Sequence, residues 1–388
     1  MKKLTPKPIK IAFDASAMLV NRTGVAYYTE RVMVQLAKQY PDEVKLVGFY
    51  YNFLGRRNTA HMPVLPNLTY RPNRFVPSKV VYQLRRWGIE FPVELFTKQK
   101  ADFILFPNFI DYPSIGRTPR ATVVHDMTYY DLPDYVSAKL RSDLIRFTPR
   151  QIKRSKFTIT VSEFTKSRIH DVYQVPLENI LVTPIPPPAH VDYPQARQDE
   201  VLEEAGITKP YILFLGTIEP RKNVANIVEA YTHLPKSLRD KYQLVIAGRV
   251  GWYADEQVAK IKEAQDAGHA VLHIGYVTDE AKDILFQRAS LFTWASHYEG
   301  FGMPLLEAVA YAPLACSDIP VFREVAGDAA IYFDHTNPDS IAKAFTLILE
   351  DEKLRDDLQK KAQKQLQKYD WAKVAQTIYD KITQTLEK

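Results

Sequence analysis

Two glutamates, Glu299 and Glu307, stand eight positions apart in SHYEGFGMPLLEAVAYAP (296–313), with Gly300-Phe301-Gly302-Met303-Pro304 between them. The stretch reads as strand, loop and helix, with Pro304 in the first helical turn, where its missing N–H removes no bond. Glu307 then falls on the first turn of that helix and Glu299 in the loop before it. Gly300 and Gly302 let the backbone come close to a ligand. The N–H groups around Phe301, Gly302 and Met303 suit an anion or a hydroxyl, and two carboxylates held nearby accept hydrogen bonds from hydroxyls. Acids that stabilise a helix N-terminus would account for Glu307, but not for Glu299 and both glycines. A second stretch, LFLGTIEPRKNV (213–224), ends a strand, turns at Gly216 and sets Arg221 and Lys222 at or just before a helix. Cations there oppose the helix dipole unless a phosphate lies between them and the helix N–H groups. A polyhydroxylated ligand carrying phosphate, a sugar nucleotide, satisfies both stretches.

These motifs sit in a repeating frame. Apolar, β-branched runs at 9–15, 44–51, 102–107, 122–126 and 157–162, and again at 211–216, 243–248, 271–276, 291–296, 314–318 and 330–334, lack strict polar alternation. That pattern predicts parallel strands buried on both faces. Helical segments at 24–40, 139–155, 223–233, 254–267, 279–289 and 304–311 separate them, so two doubly wound α/β domains are expected. TPIPPPAHVDYP (183–194) holds five prolines in twelve residues and reads as a stiff linker. Ligands of such sheets bind beyond the carboxyl ends of the strands, where VVHDMTYYDLP (123–133) also puts His125 and Asp126. Ser162 of SEFTKS reads as a helix N-cap.

Composition narrows the function. The 388 residues carry a net charge of +6, made of +13 in residues 1–190 and −7 in the remainder. A basic first half suits an anionic partner. Cys316 is the only cysteine, so no intrachain disulfide forms. No apolar run reaches the roughly 18–20 residues of a membrane span, and no secretory leader is read at the N-terminus. In 74–96, Lys79, Arg85 and Arg86 mix with Phe75, Val80, Val81, Leu84 and Trp87. Their helical spacing fits core packing, and it also fits an amphipathic face that meets anionic lipid. No nucleic-acid-binding motif is present, and no dinucleotide fingerprint either: Leu305 stands where a third glycine would follow Gly300 and Gly302.

E-G-F-G-M-P-x-x-E resembles the EX7E signature of retaining glycosyltransferases of family 4. G-T-I-E-P-R-K-N, V-I-A-G, H-I-G-Y-V and E-V-A-G-D-A-A extend the resemblance in the family's order. It implies the GT-B fold, two Rossmann-like domains facing across a cleft: an acceptor-side domain at 1–188, a nucleotide-sugar domain at 189–365, and a C-terminal helix at 366–388 returning toward the first. By the same resemblance, Glu299 contacts the donor sugar and Glu307 the ribose. Arg221 and Lys222 hold the diphosphate, the backbone of Phe301–Met303 supports the sugar, and His125 contacts the donor sugar or supports the reacting centre. Gly24, the single glycine of NRTGVAYYTE (21–30), lies near the donor phosphates where a pair is common. Ala312 precedes Pro313 where the family has glycine. No metal or cofactor is implied. The expected reaction is transfer from a nucleotide sugar, GDP-mannose by the likeness of HDMTYYDLP to polysaccharide mannosyltransferases, onto a glycan or lipid-linked acceptor. The expected setting is cytoplasmic, with peripheral contact at the inner membrane face. A sugar-nucleotide epimerase and a non-enzymatic binder of anionic polymers are the alternatives.

Overall fold

A computed structural model describes residues 7–19, 23–97 and 100–387. Asn21 and Arg22 of the expected phosphate loop lie outside the described residues. The chain divides into two units, one running to Ile185 and resuming at Asp370, the other spanning Pro186–Tyr369. The chain therefore passes between them twice, where boundaries were expected after 188 and after 365.

The first unit holds a seven-stranded parallel sheet in the order β3-β2-β1-β4-β5-β6-β7. Its strands are β1 (Ile9–Asp14), β2 (Val44–Tyr51), β3 (Leu68–Asn73), β4 (Phe103–Phe106), β5 (Arg120–Val123), β6 (Phe157–Thr160) and β7 (Ile180–Val182). Ile11, Phe13, Phe103, Ile104 and Ile159 are buried, as both-face coverage requires. The second unit holds six parallel strands in the order β10-β9-β8-β11-β12-β13. These are β8 (Tyr211–Leu215), β9 (Gln243–Ala247), β10 (Val271–Gly275), β11 (Leu291–Trp294), β12 (Leu314–Ser317) and β13 (Ala330–Phe333). Cys316 is buried in β12. In each sheet the strand order reverses once, at β1/β4 and at β8/β11, and a reversal leaves a crevice beyond the strand ends.

Sequence reading missed β3, an edge strand that contains Pro72 and alternates in burial, and the three-residue β7. Helix Trp371–Leu386 packs on helix Gly24–Gln39 within the first unit. Trp371 lies 6.0 Å from Tyr27 and 6.4 Å from Tyr28, and Tyr379 stacks on Tyr40 at 3.8 Å. Among the described residues, no helix is long and apolar enough to cross a membrane.

Helix Ser78–Arg86 corrects the lipid-facing reading of Arg85. Val81 and Arg85 turn inward, and Arg85 is 4% exposed. Its Nη2 meets Asp111 Oδ1 at 2.8 Å, and its Nε lies 3.7 Å from Glu90. Arg154 joins the same carboxylates at 2.9 Å from Glu90 and 3.4 Å from Asp111. Arg86 stays partly exposed, 3.6 Å from Asp143.

Candidate active site

The β8/β11 reversal carries most of the predicted site. After β8 the chain runs through Gly216 into the 3-10 turn Pro220–Lys222, and helix Val224–Thr232 begins beyond it. After β11 it runs through Ser296–Gly302 into helix Met303–Val309. The two loops are zipped by charge. Glu299 Oε2 lies 2.7 Å from Arg221 Nη1, and Lys222 Nζ donates to Oε1, which also accepts from Ser296 Oγ at 2.9 Å. Arg221 further donates to the Tyr298 carbonyl at 2.6 Å and to Glu219 Oε1 at 2.7 Å. Lys222 sits 4.3 Å over the Trp294 ring, a cation–π contact.

Glu299 is 8% exposed, and Lys222 and Glu219 are also buried. Burial works to raise the Glu299 carboxyl, but Arg221 and Lys222 overcome it and hold the group down at about 2. Burial and the neighbouring Arg221 charge lower the Lys222 ammonium. The two cations for which the sequence offered a phosphate thus already have protein carboxylates as partners. Glu219, buried and unassigned in the sequence reading although it lies inside G-T-I-E-P-R-K-N, is one of them.

Glu307 lies on the second turn of its helix rather than the first, because the helix starts at Met303. It is buried, its carboxyl is raised by that burial, and Lys282 Nζ lies 3.2 Å from Oε1. Lys282, too, escaped the sequence reading. Pro304 stands in the first turn, and Gly302 caps the helix with φ 96°. A Cβ there would meet Phe322 Cε1 at 2.9 Å, so glycine is required on both counts. Gly300 is buried in the same loop. The Phe301 ring is buried, edge-on to Tyr369 at 6.0 Å, which leaves only its backbone for a ligand.

Two further glycines fix the β8 loop. Gly248 has φ 150°, and a Cβ on it would lie 1.8 Å from the Gly216 carbonyl oxygen. A Cβ on Gly251 would lie 2.7 Å from Thr217 Cγ2. The loops after β8 and β9 therefore touch backbone to backbone, joined by Ile218 N–H to Arg249 O and Gly251 N–H to Ile218 O. The spacing in AGRVG carried this signal.

In the first unit, His125 follows β5 beside the β1/β4 reversal. Its Nε2 donates to the Pro107 carbonyl at 2.8 Å, so Nδ1 carries the lone pair. Burial lowers the imidazole, which keeps it neutral at pH 7. Asp14, at the end of β1, is buried, with Ser16 N–H on its Oδ1 at 2.8 Å. Burial nonetheless pushes its carboxyl up to about 6. Gly24 opens helix Gly24–Gln39 after the Thr23 cap, and a Cβ there would meet nothing within 4 Å. Neither packing nor backbone angle demands glycine at that position.

Residues 197–365 match the family model described as glycosyl transferases group 1. The protein is a glycosyltransferase. It is 27% identical to O-antigen chain mannosyltransferase B of Escherichia coli over 92% of this chain and 91% of that one. It is 30% identical to O-antigen chain mannosyltransferase RfbU of Salmonella typhimurium over 56% of each. Among solved structures, sucrose-phosphate synthase from Thermosynechococcus elongatus superposes with TM-score 0.73 at 14% identity, over 98% of this chain and 99% of that one. WaaG, a glycosyltransferase involved in lipopolysaccharide biosynthesis, gives 0.68 at 15%, over 97% and 99%. At such identity the structures speak to the fold, and that fold is GT-B. The glycosyltransferase assignment displaces the non-enzymatic alternative, and none of these relatives is an epimerase.

Proposed function

We propose that this glycosyltransferase is a retaining mannosyltransferase that moves mannose from GDP-mannose to a lipid-linked or glycan acceptor in surface-polysaccharide synthesis. The observation that carries the donor reading is Glu299 shared by Arg221 and Lys222 at the β8/β11 reversal. A donor diphosphate brings more negative charge than one carboxylate and competes for both cations. Once they turn to phosphate, Glu299 is released to accept hydrogen bonds from the sugar hydroxyls, and Glu307, with Lys282, faces the ribose. Arg221 and Lys222 then neutralise the leaving diphosphate, the task a metal performs elsewhere. His125 Nδ1 offers a neutral acceptor at the reacting centre. The mannosyl donor and the polysaccharide setting follow the O-antigen relatives; retention follows the resemblance of the Glu299–Glu307 stretch to the signature of retaining glycosyltransferases.

The acceptor reading rests on the first unit. Phe75 is 86% and Trp87 76% exposed, with Arg74, Lys79 and Arg86 in the same segment. Exposed aromatics interleaved with cations suit the surface of an anionic membrane holding a lipid-linked acceptor. Thermal-shift screening against GDP-, UDP- and ADP-sugars tests the donor, because a bound donor stabilises the fold by mass action. GDP-mannose is expected to give the largest shift, and NMR of the product to show the donor's α configuration. A larger shift with UDP-sugars, or a β product, would overturn the respective part.

A further inference from the structure

Tyr28, on helix Gly24–Gln39, is fully buried and touches three places at once. Its ring stands edge-on to the His125 imidazole, 5.3 Å between centroids at 85°. Its hydroxyl lies 2.7 Å from Thr183 Oγ1. Thr183 Oγ1 in turn donates to the Thr160 carbonyl at 3.3 Å, so the Tyr28 O–H is the donor toward Thr183. On another side, the ring packs at 6.4 Å against Trp371.

Two of these contacts fall at particular points of the chain. Thr183 stands two residues before Ile185, where the chain leaves the first unit. Trp371 follows Asp370, where it returns. The segments entering and leaving the second unit are therefore both anchored to one tyrosine, and that tyrosine packs edge-on against the His125 ring. The Pro107 carbonyl fixes one ring nitrogen, and a single hydrogen bond leaves the ring free to swivel about it. The Tyr28 edge limits that rotation.

We infer that Tyr28 is a positioning residue: it holds the His125 ring in its working orientation and ties that orientation to the two segments of chain that connect the units. The inference rests on the reading of His125 as a residue of the reacting centre. A merely structural tyrosine would need only its bulk. Tyr28 instead spends its hydroxyl on Thr183, whose own hydroxyl continues to β6.

The test uses the full chain with labelled histidine, the His125 ring resonances being assigned by their absence in His125→Gln. Tyr28→Phe removes the hydroxyl and keeps the ring; Thr183→Val removes the other end of the same bond. Each is expected to lower kcat about fivefold to tenfold, the worth of one positioning hydrogen bond. The donor KM should stay within about twofold, because the donor contacts are untouched. The His125 resonances should move in both variants. Because the two changes break one bond, the double variant should be no slower than the slower single one. Additive losses, or His125 resonances unmoved in both variants, would overturn the inference. If His125→Gln keeps wild-type kcat, the reading of His125 falls by itself, and the resonances alone then decide whether Tyr28 positions the ring. Thermal melts separate the effect from misfolding, and Trp371→Leu, which leaves the hydroxyl pair intact, is expected to move the same resonances.

Discussion

Arg221 and Glu299 meet guanidinium to carboxylate at 2.7 Å, the carboxylate buried and the guanidinium partly so, on loops that leave neighbouring strands of the second sheet. The carboxylate that the motif assigns to sugar is thus a resident counter-ion of the cations assigned to phosphate. Removing one partner of a buried pair leaves the other charge uncompensated.

Glu299→Ala is therefore expected to abolish transfer and also to cost about 3–5 kcal/mol of stability, rather than leaving the fold intact as a loop carboxylate would. Denaturant titration checks this, and added GDP should raise the variant's Tm more than the wild type's by supplying the missing negative charge. The pH dependence follows. With a folded value near 2 against an ordinary 4.5, the carboxylate's contribution is fully present above pH 4.5 and is lost as pH falls from there toward 2. The gap in stability between the wild type and Glu299→Gln should close over that window. An unchanged gap at pH 3 would show that the ion pairs contribute nothing.

Asp14 has the opposite sign. Its folded value of about 6 lies above the ordinary 3.8, so the folded state holds the proton more tightly and the ionised group is a burden above pH 6. Asp14→Asn, which keeps an acceptor for the Ser16 N–H, should stabilise the protein at pH 8 by on the order of 1–3 kcal/mol. The gain should vanish toward pH 4. Equal melting temperatures of variant and wild type at pH 8 would contradict the assignment of burial as the dominant influence.

Arg221→Ala should weaken binding of a nucleoside diphosphate far more than binding of the nucleoside, by roughly 1.5–3 kcal/mol for a charge-assisted hydrogen bond. Calorimetry with GDP and guanosine measures the difference. Equal losses for both ligands would remove Arg221 from phosphate recognition.

The two neighbouring arginines of helix Ser78–Arg86 should behave differently. Arg85→Glu puts a carboxylate against Asp111 and Glu90 in a dry interior and is expected to destabilise the first unit by about 3–5 kcal/mol or prevent its folding. Arg86→Glu should be tolerated within about 1 kcal/mol and should reduce co-sedimentation with anionic liposomes at low salt. Trp87→Ser should reduce it too. High salt should release the wild type, since exposed charges are screened over about 8 Å at physiological ionic strength. Wild type that ignores such liposomes at low salt would remove the membrane from the acceptor reading.

Much of this was legible in the sequence because the signals were local. The strand pattern marked eleven of the runs that became the two sheets, since strands buried on both faces read as continuous apolar runs. The Glu299–Glu307 spacing and the P-R-K run marked the loops at one sheet's reversal. What escaped reading was a partner chosen by the fold. Helical periodicity put Arg85 among surface cations because nothing near it in sequence is acidic except Glu90, and Asp111 is delivered by a later loop. The need for Gly248 came from the Gly216 carbonyl, and the importance of Tyr28 from a threonine and a tryptophan at the two chain crossings. Short or edge strands such as β3 and β7 bury too little to write a pattern.

The burial of Cys316 in β12 has a practical side. The chain's one sulfhydryl is packed inside a sheet, and burial pushes it far from its reactive, ionised form. Any cysteine introduced on the surface would be the single reagent-accessible thiol, with no native residue to remove first. One at each unit, labelled with a dye pair, would allow the separation of the two halves to be followed in solution as donor and acceptor are added.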